Sequence, residues 1–293
     1  KAIERWADEA KLENFSPASL APHVEEVLKN VHIETLDISK VGRNNTIFKQ
    51  GLDELKYRGA VMPRNTRNCD SCCTCFYGCP SGAKQSTDKN FIAQAVEKGC
   101  EVYTHTKVGY IFVNPKTHVF EDLVANIYDD ETGEVRAKLS VKAKHLVLAA
   151  GAVGTPQLWM KSRLPNGSDQ VGRNFRCHPA TGVVGVFDET INAHQSAMQG
   201  FYSDHFSDDE ILLETYWAPP GIVAMLLPKF GIEWANVMKQ FTKLAGAGGM
   251  IRETSFGDLK FERDKVEINY FLNDRDQKLL TKALFYSAEI LLA

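Results

Sequence analysis

The sequence predicts a mixed α/β fold made of two parts. Two amphipathic helical patterns lie in the first sixty residues. A short apolar run, a turn of small residues and a helix start follow one another at residues 145–158, and strand-like segments dominate from about Gly172 onward. These observations favour a first part with a strand–turn–helix unit and a second part built on a mixed sheet.

Length and charge limit the function classes. The chain has 293 residues, which is enough for one large domain or two ordinary ones. Its formal net charge is -3 and it has no basic run, so we expect no nucleic-acid partner. No apolar stretch is long enough to cross a bilayer. The cellular location, in the cytoplasm or at a membrane surface, stays open at this point.

Apolar stripes on two early segments predict helices. Pro22 suits the first turn of the first helix. The stripes consist of Val24, Val27, Leu28 and Val31, and then of Phe48, Leu52 and Leu55. We expect both helices to pack on a larger body, because neither stripe could close a core alone.

The middle of the chain predicts a loop, a helix and several strands. Residues 62–87 contain Pro, Asn, Gly and five Cys, and they indicate an ordered loop. Thr87-Asp88 can cap a helix that ends at Gly99. The expected strands are residues 101–108, residues 110–113 and the buried run 145–150, with a hairpin turning at residues 130–133. Thr155-Pro156 is expected to open the next helix.

The second part is predicted to be strands with one inserted helix. The strands are Thr181–Phe187, Ile211–Trp217 and Lys265–Tyr270, and the helix is Glu233–Leu244. Residues 276–293 form an amphipathic helical pattern that stops without a capping signal. Because the chain also begins with Lys rather than Met, we expect it to be an internal piece of a longer polypeptide.

The turn of small residues is a candidate ligand contact. Ala150 and Gly151 carry little or no side chain, so the backbone there can approach a ligand closely. The helix that follows offers unpaired N–H groups to an anion or to a polar ring edge. The same pattern occurs in α/β proteins that bind nothing at the turn, so the pattern alone leaves both interpretations open.

Four stretches spread over most of the chain are more specific than any single motif. They are CFYGCPSGAKQST (75–87), AKHLVLAAGAVGTPQL (143–158), VGRNFRCHP (171–179) and MQGFY (198–202), with Glu214 and Pro219-Pro220 beyond them. Their order and spacing resemble the glucose–methanol–choline (GMC) oxidoreductases, and within that family the bacterial long-chain or sterol alcohol oxidases. The Ser-Gly that usually follows the family's Gly-Thr-Pro signature is Ser162-Arg163 here.

The resemblance implies a flavoenzyme that transfers hydride from the CH–OH group of an alcohol to FAD. It places the adenosine half of FAD against Ala150 and Gly151, with a backbone contact to the adenine from Val108 at the end of the strand 101–108. It also implies part of a Rossmann-like FAD-binding domain at residues 1–171, with the Cys-rich loop 62–87 as an insert. Residues 172–293 would then be a truncated substrate-binding domain.

The family's catalytic groups have no counterpart in this sequence. No Gly-x-Gly-x-x-Gly opens a strand–turn–helix in this sequence. The family's C-terminal His, which the resemblance implies as the acceptor of the substrate's hydroxyl proton, is also missing. We therefore assign no catalytic residue here, and we expect residues 1–293 alone to be inactive. His178, in a Cys-His-Pro context, is interpreted as a structural or domain-interface residue.

The resemblance also implies a small, apolar alcohol substrate such as a fatty alcohol or a sterol. The electrons would pass to oxygen or to a redox carrier. Residues 216–227 (YWAPPGIVAMLL) could form a wall or a lid of the substrate site, or they could be ordinary core.

A dense group of thiols is the second chemical signal. Cys69, Cys72, Cys75 and Cys79 fit C-x2-C-x2-C-x3-C, which is a ferredoxin-type spacing, and Cys73 adds a fifth thiol. An iron–sulfur cluster, with Cys72, Cys75 and Cys79 as its first candidate ligands, competes with a zinc site, with disulfides and with a thiol-rich structural loop over the flavin. The rival functions are an iron–sulfur electron-transfer subunit and a non-catalytic GMC-like module.

Overall fold

A computed structural model of the protein describes residues 2–12, 15–262 and 265–293. These residues form a mixed helix-and-sheet fold, which confirms the predicted fold class. The α-helices are α1 (Ala2–Ala10), α2 (Pro17–Asn30), α3 (Arg43–Glu54), α4 (Ala93–Glu97), α5 (Gly151–Lys161), α6 (Pro220–Leu226), α7 (Gly231–Met238) and α8 (Asp274–Leu292). The strands are β1 (Ile33–Glu34), β2 (Ala60–Val61), β3 (Arg64–Asn65), β4 (Thr106–Val113), β5 (Phe120–Tyr128), β6 (Val135–Val141), β7 (Ala180–Val186), β8 (Phe201–Ser203), β9 (Ile211–Thr215), β10 (Leu244–Ile251), β11 (Asp258–Glu262) and β12 (Lys265–Asn269).

The chain divides into two compact units, and each is discontinuous in sequence. The first unit comprises residues 1–100, 180–251 and 280–293, and the second comprises residues 101–179 and 252–279. The functional assignment of residues 1–171 to the cofactor and 172–293 to the substrate stays a prediction. Among the described helices, none combines the length and the hydropathy that a membrane span needs.

A five-stranded antiparallel sheet in the order β2-β8-β9-β10-β7 forms the centre of the first unit. Its middle strands are almost entirely buried: Leu213 and Leu244, for example, are inaccessible to solvent. Helices α3 and α8 pack so closely that a Cβ at Gly51 would lie 1.8 Å from the carbonyl oxygen of Ile290. Only glycine allows this approach of the two backbones.

Two buried asparagines fasten α3 to the sheet. The amide oxygen of Asn44 accepts the N–H of Gly246 at 2.8 Å, and its amide nitrogen donates back to the same residue's carbonyl at 3.3 Å. Asn45 donates to the Ala197 carbonyl at 3.0 Å and accepts the Gly200 N–H at 3.0 Å. Buried polar side chains are tolerated when they are fully hydrogen-bonded in this way.

The second unit contains the three-stranded antiparallel sheet β4-β5-β6 and the β11–β12 hairpin. Helix α5 packs against β4, since the Ile111 N–H donates to the hydroxyl of Ser162 at 3.0 Å. The Lys161 ammonium lies 5.4 Å from the centre of the Tyr110 ring. Arg163, which replaces the family's glycine, adopts a left-handed backbone with φ +53°, so the turn after α5 is present without a glycine.

The strand predicted at 101–108 is wrong in its bounds. The structure has one strand, β4 from Thr106 to Val113, with an irregularity between Val108 and Tyr110. The irregularity explains why the sequence resembles two separate strands. Val108 therefore lies near the start of β4 and not at the end of a strand.

The predicted buried strand at 145–150 is also wrong. This run is not assigned as a strand, and Val147 is 85% exposed. A strand needs a neighbour to pair its backbone groups, and none of the described strands pairs with this run. Helix α5 begins at Gly151 instead of Thr155, so Pro156 lies inside the helix, and the Thr155 hydroxyl accepts the Ala150 N–H at 2.9 Å.

Three helix boundaries also differ from the prediction. Helix α2 begins at Pro17 behind the N-cap Ser16, so Pro22 lies inside it and not in its first turn. Thr87 makes no capping hydrogen bond, because its own backbone is already helical, and a π-helical turn at residues 88–92 precedes α4. The inserted helix α7 ends at Met238, and a separate 3-10 turn at Phe241–Lys243 leads into β10.

Candidate cofactor and substrate sites

The N-terminus of α5 has the openness that the sequence suggested for a ligand contact. Gly151 has φ +79°, a conformation that residues with a Cβ rarely adopt. A Cβ added there would have no atom within 4 Å, so the space in front of the turn is open. Ala150 provides no side-chain cap for the helix. Both features fit a backbone that faces the edge of a nucleotide.

Val108 belongs to the same unit as this turn. It pairs with Ala125 of β5 at the start of the β4 irregularity, and it is half-buried. The opposite edge of β4 pairs with no described strand, which leaves backbone groups on that edge available to other partners. The structure thus places Val108, Ala150 and Gly151 on two elements that pack together, and their contact with FAD stays a prediction.

An apolar cavity lies on the sheet of the first unit. Its volume is about 460 Å³, which is within the usual range for small-molecule sites. Alternate residues of β7 form one wall, and Tyr216, Trp217 and the helices α6 and α7 form the others. The segment 216–227, which the sequence left open between wall and core, supplies nearly half of this lining.

Glycines of two strands make room for the Tyr216 ring at the cavity wall. A Cβ at Gly182 would lie 2.3 Å from the Tyr216 hydroxyl oxygen, and a Cβ at Gly248 would lie 2.9 Å from the ring. Burial raises the pKa of the Tyr216 hydroxyl. No local sequence pattern signals this arrangement, because it joins residues more than thirty positions apart.

A second cavity of about 600 Å³ lies beside the Cys-rich loop. Arg64, Cys75, Phe76 and Gln199 are among the residues that line it. The side-chain amide of Gln199 donates to the Glu214 carboxylate at 2.8 Å. This hydrogen bond connects two positions that carry the family resemblance, the stretch 198–202 and Glu214.

The five cysteines of residues 69–79 surround one small gap. Its volume is about 10 Å³, about the space that one water molecule needs. The Arg64 guanidinium lies 3.7 Å from the Cys69 sulfur and 3.8 Å from the Cys75 sulfur. Arg64 is a residue that the sequence pattern did not single out.

The thiols differ in their electrostatic environments. Burial raises the pKa of Cys73 to about 12, and burial also raises the pKa of Cys75. Burial acts in the same direction on Cys79, but hydrogen bonds from the Lys84 N–H and from Ser81 outweigh it and lower the pKa of Cys79. Cys79 is therefore the thiol of this set whose surroundings favour the thiolate.

The prediction of an iron–sulfur cluster is not supported. No group of three or more His, Cys, Asp or Glu side chains within the described ranges is placed to hold a metal ion. The gap between the thiols is also far smaller than a cluster of several iron and sulfur atoms. All seven cysteines are free thiols, and this arrangement agrees with a thiol-rich structural loop.

His178 is exposed, and it has a left-handed backbone with φ +50°. Its N–H lies 3.4 Å from the Glu253 carboxylate within the second unit. The interpretation of His178 as a structural or domain-interface residue stays a prediction.

Comparisons with known proteins agree with the resemblance. The chain is 29% identical over 267 residues to an uncharacterized GMC-type oxidoreductase of Mycobacterium tuberculosis, a match that covers 91% of this chain and 41% of that protein. It is 26% identical over 314 residues to a long-chain-alcohol oxidase of Arabidopsis thaliana, with coverage of 99% and 40%. The chain thus spans about two fifths of the length of these relatives.

A solved structure shares the fold. The crystal structure of pyridoxine 4-oxidase from Mesorbium loti matches with a TM-score of 0.70 at 16% identity, and the match covers 98% of this chain and 61% of that one. A sequence model of the GMC oxidoreductases, which as a family bind FAD, matches residues 1–180. Because this match covers more than half of the sequence, the chain belongs to the GMC oxidoreductase family.

Proposed function

We propose that the protein is an FAD-dependent oxidoreductase that oxidises the CH–OH group of an apolar alcohol. Family membership supports the reaction class. The single structural observation that carries the substrate class is the apolar cavity of about 460 Å³ beside β7. Such a cavity favours a ligand with a large apolar body and one polar end.

The N-terminus of α5 is proposed to hold the adenosine end of FAD. The open space before Gly151 allows the backbone to approach the nucleotide, and the uncapped N–H groups of the helix can donate to its polar edges. Val108 is proposed to supply a backbone contact to the adenine from β4. When bound, FAD would supply the acceptor for the hydride of the alcohol.

The cavity residues are proposed to orient the alcohol. Val223 and Leu226 of α6 and Val184 of β7 would cover an aliphatic chain or a ring system, and they would exclude water from it. The indole N–H of Trp217 is buried without a partner among the described residues. It could donate to a substrate hydroxyl or to an ordered water, because a buried donor otherwise remains unsatisfied.

Oxygen is the proposed electron acceptor, because two of the compared proteins are named as oxidases. The test uses the full-length protein loaded with FAD. Primary alcohols of increasing chain length and a sterol are added without oxygen, and the loss of the oxidised flavin bands is followed. Air is then admitted and hydrogen peroxide is measured.

We expect long-chain alcohols to reduce the flavin faster than ethanol does, and the peroxide formed on reoxidation to equal the flavin reduced. A flavin that stays oxidised with every alcohol would refute the proposed reaction. If alcohols reduce the flavin but no hydrogen peroxide forms in air, the proposal of alcohol oxidation stands. The electron acceptor would then be a redox carrier and not oxygen.

A further inference from the structure

The Cys-rich loop places two partly accessible thiols on either side of a tight turn. Three residues separate Cys75 from Cys79, and within that turn the Tyr77 N–H donates to the Thr74 carbonyl at 2.9 Å. Both thiols line the same small gap. The alcohol chemistry proposed above uses neither of them.

Hydrogen-bond donors surround the sulfur of Cys79. The backbone N–H of Lys84 donates to it at 3.3 Å, and the hydroxyl of Ser81 lies 3.6 Å away. A sulfur that carries negative charge accepts such bonds more strongly than a neutral thiol does. The loop therefore stabilises the form of Cys79 that reacts with peroxides.

Cys75 lies where a small molecule can reach the loop. It lines the cavity of about 600 Å³, and the Arg64 guanidinium lies 3.8 Å from its sulfur. A guanidinium at this distance stabilises the negative charge that develops on Cys75 when it acts as a second nucleophile.

Two other thiols of the loop are less suited to this chemistry. Cys73 is 2% exposed and has a left-handed backbone with φ +56°, so a reagent has little access to it. The Cys72 sulfur is engaged by the Thr74 hydroxyl at 2.9 Å.

We propose that Cys75 and Cys79 form a peroxide-reactive dithiol that closes reversibly to a disulfide. The Cys79 thiolate attacks one oxygen of hydrogen peroxide and the O–O bond breaks. The departing hydroxide takes the proton that Cys79 had released, and it leaves as water. Cys79 is now a sulfenic acid.

The second step joins the two residues. Cys75 attacks the Cys79 sulfur, the S–OH bond breaks, and the hydroxide leaves as water with the proton of Cys75. In total, two thiols lose two electrons and one hydrogen peroxide is reduced to two waters. The site does not depend on alcohol oxidation, since added hydrogen peroxide is sufficient.

The positions of Phe76 and Tyr77 make the disulfide directly observable. Reduced protein, freed of reductant, is treated with hydrogen peroxide and its remaining thiols are blocked with N-ethylmaleimide. Chymotrypsin cleaves after Phe76 and Tyr77, and it therefore separates Cys75 from Cys79. The two fragments stay joined only through a disulfide, which mass spectrometry detects and dithiothreitol removes.

We expect joined fragments in the wild type and in the control Cys177→Ser, because Cys177 is an exposed thiol outside the loop. In Cys75→Ser the fragments should separate, and dimedone should label Cys79 as its sulfenic acid. Separate fragments in the peroxide-treated wild type would overturn the proposal, and this result needs no variant to fold. The proposal would also be overturned if the Cys75→Ser variant gave as many joined fragments as the wild type, since another thiol would then be the partner of Cys79.

Discussion

The Tyr216 ring occupies the space that a side chain on Gly182 would need. A Cβ at Gly182 would lie 2.3 Å from the Tyr216 hydroxyl oxygen, a distance that no real contact permits. The glycine of β7 therefore fixes where the phenol lies, and the phenol forms one wall of the apolar cavity. The shape of the proposed substrate site depends on this pair.

The first prediction concerns Gly182→Ala. The added methyl group would overlap the Tyr216 ring, so the ring should shift and change the shape of this cavity wall. Overpacking of this kind costs about 1–3 kcal/mol, so we expect KM for long-chain alcohols to rise about tenfold. Steady-state kinetics over a series of chain lengths check this.

Gly185→Ala is the matched control for this substitution. Gly185 lies on the same strand but is not part of the cavity lining, and the atoms nearest to its Cβ would be those of the Phe187 ring, at 3.0 Å. It should affect stability without changing the chain-length profile. An equal change of KM in both variants would show that Tyr216 does not shape the substrate site.

The second prediction concerns Gly151→Val and the affinity for FAD. A branched side chain at this open turn should stand where the nucleotide approaches, and we expect the Kd for FAD to rise at least about tenfold. Gly133→Val is the control, because Gly133 also has a positive φ (+69°, against +79° at Gly151) and an empty Cβ position but lies in a hairpin turn. Fluorescence titration of both apoproteins separates loss of cofactor contact from backbone strain. Equal affinities would remove Gly151 from the cofactor site.

The sequence predicted the elements whose pattern is local. The strands that became β7 and β12 were found because alternate residues along them differ in exposure, whereas β9 was found as an apolar run that is buried on both faces. Residues 145–150 have an equally apolar pattern, but a strand also needs a paired neighbour, which no local pattern can supply. The start of α2 was readable in principle, since Ser16-Pro17 is a cap followed by a first-turn proline.

The candidate sites likewise combine features that a local pattern predicts with features that depend on distant segments. The turn at Ala150-Gly151 was singled out from its small residues together with the family resemblance; the turn is open in the structure, and its contact with a ligand stays a prediction. The closeness of Arg64 to Cys69 and Cys75, and that of Gly182 to Tyr216, arises from folding of distant segments. No spacing rule connects such positions, so they appear only in three dimensions.

The third prediction concerns the buried link between α3 and the sheet. Asn45→Leu keeps the branched shape and the number of side-chain heavy atoms but leaves the Ala197 carbonyl and the Gly200 N–H without this partner. Stranded buried groups cost about 1–3 kcal/mol each, so we expect the free energy of unfolding to fall by roughly 3 kcal/mol. Urea unfolding measures this free energy. Gln50→Leu, on the exposed side of the same helix, should stay within about 0.5 kcal/mol of the wild type, and a similar loss in both variants would contradict the role of Asn45.

The last prediction follows from the carboxylate at the start of α8. Asp276 is buried, and its oxygens accept the N–H groups of Ser255 at 2.7 Å and Thr254 at 2.8 Å, while the Arg275 guanidinium lies 2.8 Å away. Burial by itself raises the pKa of Asp276, but the hydrogen bonds from Ser255, Thr254 and Arg275 outweigh it and lower the pKa to about 2. The charged form therefore stabilises the folded second unit.

The pH dependence has a definite sign. The pKa of Asp276 in the folded state, about 2, is lower than its ordinary value of 3.8, so its stabilising contribution is complete above about pH 4 and is lost as the pH falls toward 2. A difference of this size corresponds to roughly 2 kcal/mol.

Asp276→Asn should lose this contribution at neutral pH, because an amide cannot accept all of these bonds. The gap between variant and wild type should then close as the pH is lowered from 4 to about 2. Asp274→Asn, an exposed position in the same helical turn, should follow the wild type at every pH. Denaturant unfolding at several pH values gives the comparison, and a gap that stays constant between neutral pH and pH 2 would show that the charge of Asp276 does not stabilise the fold.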